Sequence, residues 1–305
     1  MKKILVTGAS GFIGQYLIDK LLGGRYEIYI LKHHSLVSKE WFKNSKIKIF
    51  NIDITNSKDF SKIKKNLKFD VVFHLATYIP NNEKWPETDK CFMVNCLGAY
   101  NLINFLKNRP PNKLIISSSV SVYQVITSLS KVSKISEQTS TIPNSFYGFS
   151  KLTADLLFEK FAEDFNISTV FLRYSSVYGL RQKPNAVLPV FINNAKQGKN
   201  LTIFGEGKKV QDFIYIDDVI KANIWALKPS IRGIYNIGSG IGINVVDLAK
   251  KIIKVFDSKS KIIFNKSKTE DKSKIVMDIS RAQEKRFKID YPLLRGLEQL
   301  KEIKK

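Results

Sequence analysis

Tyr147 and Lys151 stand four residues apart in Tyr147-Gly148-Phe149-Ser150-Lys151, a spacing that sets both on one face of a helix. A phenol beside an ammonium suits the interconversion of an alcohol and a carbonyl. That reaction needs a proton donor next to a hydride donor, and a tyrosine serves if the cation draws its pKa toward neutrality. A hydroxyl from another strand end would polarise the reacting oxygen, and Ser117-Ser118-Ser119 supplies candidates. A second Tyr-x-x-x-Lys, Tyr16 to Lys20, falls inside the first predicted helix and reads as core plus surface.

Hydride transfer needs a carrier. Thr7-Gly8-Ala9-Ser10-Gly11-Phe12-Ile13-Gly14 joins the apolar run Ile4-Leu5-Val6 to a helix-spaced stretch from Phe12 to Leu22. Glycines at 8, 11 and 14 permit a tight turn, close approach to a pyrophosphate and close helix packing. The helix then aims its first amides at the anion. The second predicted strand, Glu27 to Leu31, ends in Lys32-His33-His34 with no acid. A cation there favours a 2′-phosphate, so NADP is preferred over NAD; the competing reading is an exposed lysine. Two adjacent histidines without a third ligand do not make a metal site, and no metal is expected. Asp53 follows the third strand, where it could meet the adenine or simply cap a turn.

These groups need a scaffold that brings strand ends together. Ile47 to Phe50, Val71-Val72-Phe73, Leu114-Ile115-Ile116 and Ser168 to Leu172 read as further strands. Helical stretches run from about Pro86 to Lys107, where Pro110-Pro111 stops them, and from about Ser145 to Phe165. Alternating buried strands and helices predict an α/β, Rossmann-type doubly wound parallel sheet. After about Gly179 the rhythm shortens, with helices expected at Val219 to Leu227, Val245 to Phe256 and Gly296 to Ile303. The expected division is a dinucleotide-binding domain at 1–178 and a small, interleaved α/β substrate lobe at 179–305, part of which returns to the main domain. Lys266 to Lys274 reads as an exposed loop.

The 305 residues carry 50 Lys and Arg against 27 Asp and Glu, a formal charge of +23. Lysines are scattered along the chain and no nucleic-acid motif accompanies them, so solvated faces are preferred over a nucleic-acid binder. A basic surface would still attract anionic cofactors and substrates. No apolar run reaches the ~18 residues of a membrane span, and Gly8 cuts short any leader-like stretch. Cys91 and Cys96 lie five apart in a predicted helix, so their side chains should diverge; a reducing cytoplasm is expected.

In this order the motifs resemble the NAD-dependent epimerase/dehydratase family, the extended short-chain dehydrogenases that act mainly on nucleotide sugars. The glycine turn, His74-Leu75-Ala76, Ser118-Ser119-Val120-Ser121-Val122-Tyr123, the Tyr147 helix, Leu172-Arg173-Tyr174, Val177-Tyr178-Gly179 and Gln211-Asp212-Phe213-Ile214-Tyr215-Ile216-Asp217-Asp218-Val219 carry the likeness. The resemblance implies Tyr147 as acid/base, Lys151 as its partner and ribose ligand, and Ser119 as hydrogen-bond donor to the sugar oxygen. It implies cofactor contacts at Gly8, Ser10, Gly11, Phe12, Ile13, Gly14, Asp53, Ile54, Leu75, Ala76, Thr77 and Asn95, to which the reading of the second strand's end adds Lys32 and His33. Substrate contacts are implied at Tyr78, Ser119, Ser121, Ser176, Phe204 and Gln211, with ordinary core as the competing reading for Phe204. A homodimer through the Tyr147 helix and the long helix near Asn95 is also implied.

Four departures bear on the reaction. Family dehydratases carry Asp-Glu after the catalytic Ser or Thr, where this chain has Val120-Ser121, so a 4,6-dehydratase is disfavoured. Gln211 stands where family members often have an arginine, and a neutral amide cannot make a forked contact with a diphosphate. Ser176 replaces a family Asn, and the later Arg often found around Lys268 to Lys274 is absent. The expected reaction is hydride transfer at C4 of a sugar, by a 4-keto-sugar reductase consuming NADPH or a 4-epimerase retaining NAD. A cofactor-binding sensor without turnover is the alternative, opposed by the intact Ser119, Tyr147 and Lys151.

Overall fold

The computed structural model describes residues 1–33, 38–64, 66–124, 134–182, 186–266 and 272–302. His34, most of the expected loop at Lys266 to Lys274 and the last residue of the expected helix at Gly296 to Ile303 lie outside them. The chain clusters into two compact units. The first comprises 1–124, 140–173 and 220–235; the second comprises 125–139, 174–219 and 236–305.

The first unit is built on β1 (Lys2–Thr7), β2 (Tyr26–Lys32), β3 (Ile47–Asn51), β4 (Val71–His74), β5 (Lys113–Ser119), β6 (Ser168–Tyr174) and β7 (Gly233–Ile237). They lie in the order 3-2-1-4-5-6-7, the doubly wound arrangement in which strand order reverses between β1 and β4. The ladders joining β3, β2, β1, β4 and β5 are parallel. Register pairs Thr7 with His74 and His74 with Ile116, so the glycine turn, the segment after His74 and the serine run emerge along one sheet edge. Apolar residues on one face, among them Leu5, Val72, Leu114 and Ile116, bury against Ala99, Leu102 and Leu106 and against Ala154, Phe158 and Phe161 of two helices.

Those helices differ in regularity. Phe146–Asp164 is continuous, capped by the Ser145 side chain, which accepts from the Gly148 N–H at 3.0 Å. The expected Pro86–Lys107 helix is instead three pieces, α-helical at Glu87–Phe92 and Gly98–Leu106 with a π-helical turn at Met93–Leu97 between them. This corrects the expectation that Cys91 and Cys96 diverge. An i→i+5 turn brings residues five apart toward one side. Cys91 Sγ lies 3.2 Å from Ser150 Oγ, and Cys96 Sγ lies 3.6 Å from the Ser150 carbonyl. Both thiols are free.

The second unit has a five-stranded sheet. Val210–Tyr215 pairs with Gly242–Asn244, Lys274–Met277 and Ser176–Tyr178, and Lys274–Met277 pairs with Lys134–Ile135. Leu201–Phe204 and Ile262–Asn265 form a separate parallel pair. Buried Asp212 ties this sheet, accepting from the N–H groups of Ser239, Gly240 and Met277 and from the Ser239 hydroxyl. Among the described residues, no helix is long and apolar enough to cross a membrane.

Candidate active site

The first βα turn is shaped by what cannot fit there. Gly8 has φ +69°, and a Cβ on it would lie 2.5 Å from the Ala76 N. A Cβ on Gly14 would lie 2.2 Å from the Gly8 carbonyl oxygen. Gly11 caps the helix Phe12–Leu22 without a side-chain cap, which leaves first-turn amides for an anion. The turn therefore fits a dinucleotide pyrophosphate. Ser10, Phe12 and Ile13 are half-buried around it, and the Ser10 carbonyl accepts from Gln15 Nε2 at 2.9 Å.

At the other end of the expected cofactor path, Lys32 closes β2 and His33 follows it. His33 Nε2 is 3.5 Å from Asp53 Oδ2. The other Asp53 oxygen accepts from the Thr55 N–H and hydroxyl at 2.9 and 2.8 Å, so Asp53 organises its own turn as well as facing the β2 end. Ile54 packs against Gly98, where a Cβ would come within 2.4 Å of Ile54 Cγ1.

The segment after β4 connects the turn to the Tyr147 helix. Thr7 Oγ1 accepts from the Ala76 N–H at 3.2 Å and lies 3.0 Å from His74 Nδ1. Leu75 and Ala76 are buried, and Thr77 Oγ1 accepts from Lys151 Nζ at 3.2 Å. Asn95, expected at the cofactor, is bonded within the protein. It is 1% exposed; its Oδ1 accepts from the Tyr78 N–H at 2.7 Å. Its Nδ2 donates to the Tyr78 carbonyl at 3.0 Å and to Ser150 Oγ at 2.9 Å. With both amide protons committed, Asn95 clamps the segment to the Tyr147 helix. Tyr78 is itself half-buried, and its hydroxyl donates to Glu87 at 2.9 Å.

Ser119 and Tyr147 are brought together by the turn Val120–Val122. Ser119 Oγ accepts from the Ser121 N–H at 3.1 Å and shares a side-chain hydrogen bond with Tyr147. Gly148 allows the approach, since a Cβ there would lie 2.2 Å from the Ser121 carbonyl oxygen. Burial pushes the Tyr147 phenol above its ordinary pKa, while the Ser119 hydrogen bond draws it down. The expected depression by Lys151 is thus not what governs the phenol. Lys151 is itself pushed down by burial and raised by Asp155. Asp155 was not singled out in the sequence, where the i+4 step from Lys151 was the available signal, and Ser118 was named only within the candidate run Ser117 to Ser119.

The remaining expected residues lie in the second unit. Ser176 and Gln211 come together, Gln211 Nε2 donating to Ser176 Oγ at 3.4 Å. Phe204 ends Leu201–Phe204 and is 46% exposed, so it is not core.

A strand-end glycine cradle, a Ser–Tyr pair and a buried lysine on one helix have counterparts among known proteins. Residues 4–238 match the profile of the NAD-dependent epimerase/dehydratase family. The chain belongs to that family. A provisionally named UDP-glucose 4-epimerase of Methanocaldococcus jannaschii is 32% identical over 304 residues, covering 97% of this chain and 96% of the relative. A dTDP-D-glucose 4,6-dehydratase of Dictyostelium discoideum is 30% identical, with 84% and 62% covered. The crystal structure of a Bacillus cereus UDP-glucuronic acid 4-epimerase with UDP-glucuronic acid and NAD is 31% identical, with 97% and 96% covered and a TM-score of 0.83. Membership supports an NAD-type cofactor and nucleotide-sugar chemistry for this epimerase/dehydratase family member.

Proposed function

We propose that this chain is a nucleotide-sugar 4-epimerase that keeps NAD bound through turnover. The Ser119–Tyr147 hydroxyl pair followed by Val120-Ser121 carries the reading. Elimination of water calls for an acid and a base besides the group that oxidises C4, and no carboxylate follows Ser119. Epimerisation needs only the one acid/base used twice. The likeness to UDP-sugar 4-epimerases supports the same choice.

The glycine turn would hold the pyrophosphate, and Lys151 Nζ a ribose hydroxyl. When bound, NAD would supply the acceptor and donor of the C4 hydride and a positive charge near the phenol. Tyr147 Oη takes the proton of the C4 hydroxyl and later gives it back. Ser119 Oγ steadies the reacting oxygen by a hydrogen bond. The raised phenol pKa in the protein's own field makes that added charge useful, because a nearby cation favours phenolate.

Lys32 at the end of β2 favours a second reading, an NADPH-consuming 4-keto reductase. Lys32→Asp is expected to move the NAD/NADP affinity ratio toward NAD by about tenfold or more, the worth of a charged hydrogen bond. Titration with each nucleotide reads it, and an unmoved ratio removes Lys32 from cofactor choice.

The two readings separate on purified protein. It is prepared without added nucleotide, denatured, and the released cofactor identified; UDP-glucose and UDP-glucuronic acid are then assayed for C4 epimers by NMR. Retained NAD with epimer formation supports the epimerase. An empty site preferring NADPH, with NADPH consumed on a keto sugar, supports the reductase. Binding of neither nucleotide overturns both.

A homodimer belongs to this proposal. Phe149 and Leu156 on the Tyr147 helix, and Met93 and Tyr100 on the neighbouring helical run, are exposed at seven-residue spacing. Such stripes mark an association surface. Light scattering should return twice the 34.9 kDa chain mass, and a monomer at micromolar concentration would count against it.

A further inference from the structure

The Tyr147 helix carries a third ionisable group in the same register. Asp155 lies four residues beyond Lys151 and eight beyond Tyr147, and such positions share a helix face. Asp155 is 5% exposed and Lys151 1%. Its bonding is incomplete. Oδ2 accepts from the Ser118 hydroxyl at 2.5 Å, and Arg173 Nε stands 4.0 Å away. Among the described residues, Oδ1 and Arg173 Nε have no hydrogen-bond partner. The Arg173 guanidinium lies over the Tyr123 ring, 4.7 Å from its centre. A buried ion pair is weak evidence of a purely structural role, since apolar residues of similar volume in place of the whole pair often do as well. We propose that Asp155 is a positioning residue that sets, through Lys151, the pH range over which the Tyr147–Lys151 pair works. This rests on the cofactor-binding reading above.

The surrounding groups fix the sign. Tyr147, Lys151 and Glu159 face Asp155 from its own helix, Ser118 from β5 and Arg173 from β6. His74 of β4 packs on Phe158 with ring centres 4.8 Å apart. Burial and then Lys151 push it down to about 3, so it brings no charge. Burial pushes the Cys91 and Cys96 thiols up, so they stay protonated. Asp155 is raised by burial to about 6, against the pull of Lys151, Ser118 and Arg173, and so is ionised above that pH. The ionised carboxylate raises Lys151 and raises Tyr147 further. Its removal must therefore lower both.

NAD affinity is measured against pH for the wild type, Asp155→Asn and Asp155→Glu. Lys151→Met serves as the reference that lacks the step caused by Lys151. In the wild type, binding weakens as Lys151 loses its proton. In Asp155→Asn that weakening is expected at a pH lower by about one unit, the low end of the effect of a close opposite charge. Asp155→Glu should keep the wild-type midpoint. If Asp155→Asn does not fold, Asp155→Leu removes the charge while filling the volume and carries the same expectation. Once a substrate is in hand, both limbs of kcat/KM against pH should move acidward together. An unmoved NAD midpoint overturns the proposal. So does a profile that only loses height, since a merely structural role would do that. Failure of the wild type to bind NAD at any pH overturns the cofactor reading instead, and this proposal with it.

Discussion

Tyr147→Phe is expected to lose turnover by about a thousandfold or more, within the range spanned by a positioned acid/base, while NAD affinity stays within a few-fold of the wild type. The substitution removes one oxygen and keeps the ring, so the half-buried helix start and its Ser145 cap stay in place. Ser119 also keeps its hydrogen bond from the Ser121 N–H, which preserves the turn. What disappears is the atom proposed to take and return the sugar proton. Ser119 cannot take over, because a serine hydroxyl is far too weak a base to hold the sugar proton. The measurements are initial rate, NAD titration and thermal midpoint on one preparation. Near-wild-type turnover would remove Tyr147 from the mechanism, and a large fall in midpoint would show the loss to be structural.

Gly14→Ala is expected to weaken NAD binding by about a hundredfold or more and to destabilise the chain by ~1–3 kcal/mol, as overpacking does. The new Cβ would meet the Gly8 carbonyl oxygen at 2.2 Å and the Ala9 Cα at 2.6 Å. Both are backbone, so no rotamer relieves the clash. Gly8 cannot retreat, since it already sits against Leu75 and Ala76 with φ +69°. The helix must move outward and carry its first-turn amides away from the anion they would bind. Gly198→Ala is the control. Gly198 also has positive φ, but a Cβ there meets nothing within 4 Å. It should cost about 1 kcal/mol of conformational strain and leave NAD affinity alone. Equal affinity losses in both variants would mean that stability, not turn geometry, controls binding.

Much of the first unit could be read from local pattern. Short apolar runs marked the first six strands, and the helix Phe12–Leu22 was placed correctly because period and glycine cap agreed. β7 could not be assigned. Gly233–Ile237 is five residues long, and its place beside β6 depends on a return of the chain that no local signal encodes. The π turn at Met93–Leu97 was missed for a related reason, since a helical period looks the same until packing demands an extra residue. Among site residues, Tyr147, Lys151 and Ser119 stood out because their types are chemically unusual together. Asn95 was placed by likeness, and only its hydrogen bonds reveal the clamp. Asp155 looked like any polar helix residue, because burial rather than identity makes it consequential.

The dispersed assembly of the first unit has a consequence for dissection. A fragment stopped near residue 178 would include the glycine turn, the Tyr147 helix and β6, yet lack residues 220–235. It would end its sheet on β6, whose outer backbone groups β7 otherwise occupies. Exposed rims of this kind recruit other chains. Lys113, buried at the start of β5, would also lose the Lys228 and Ile231 carbonyls that receive its ammonium at 2.7 and 2.9 Å. The nucleotide-binding half is therefore not a severable module, and a fusion or library that treats it as one would be selecting for aggregation.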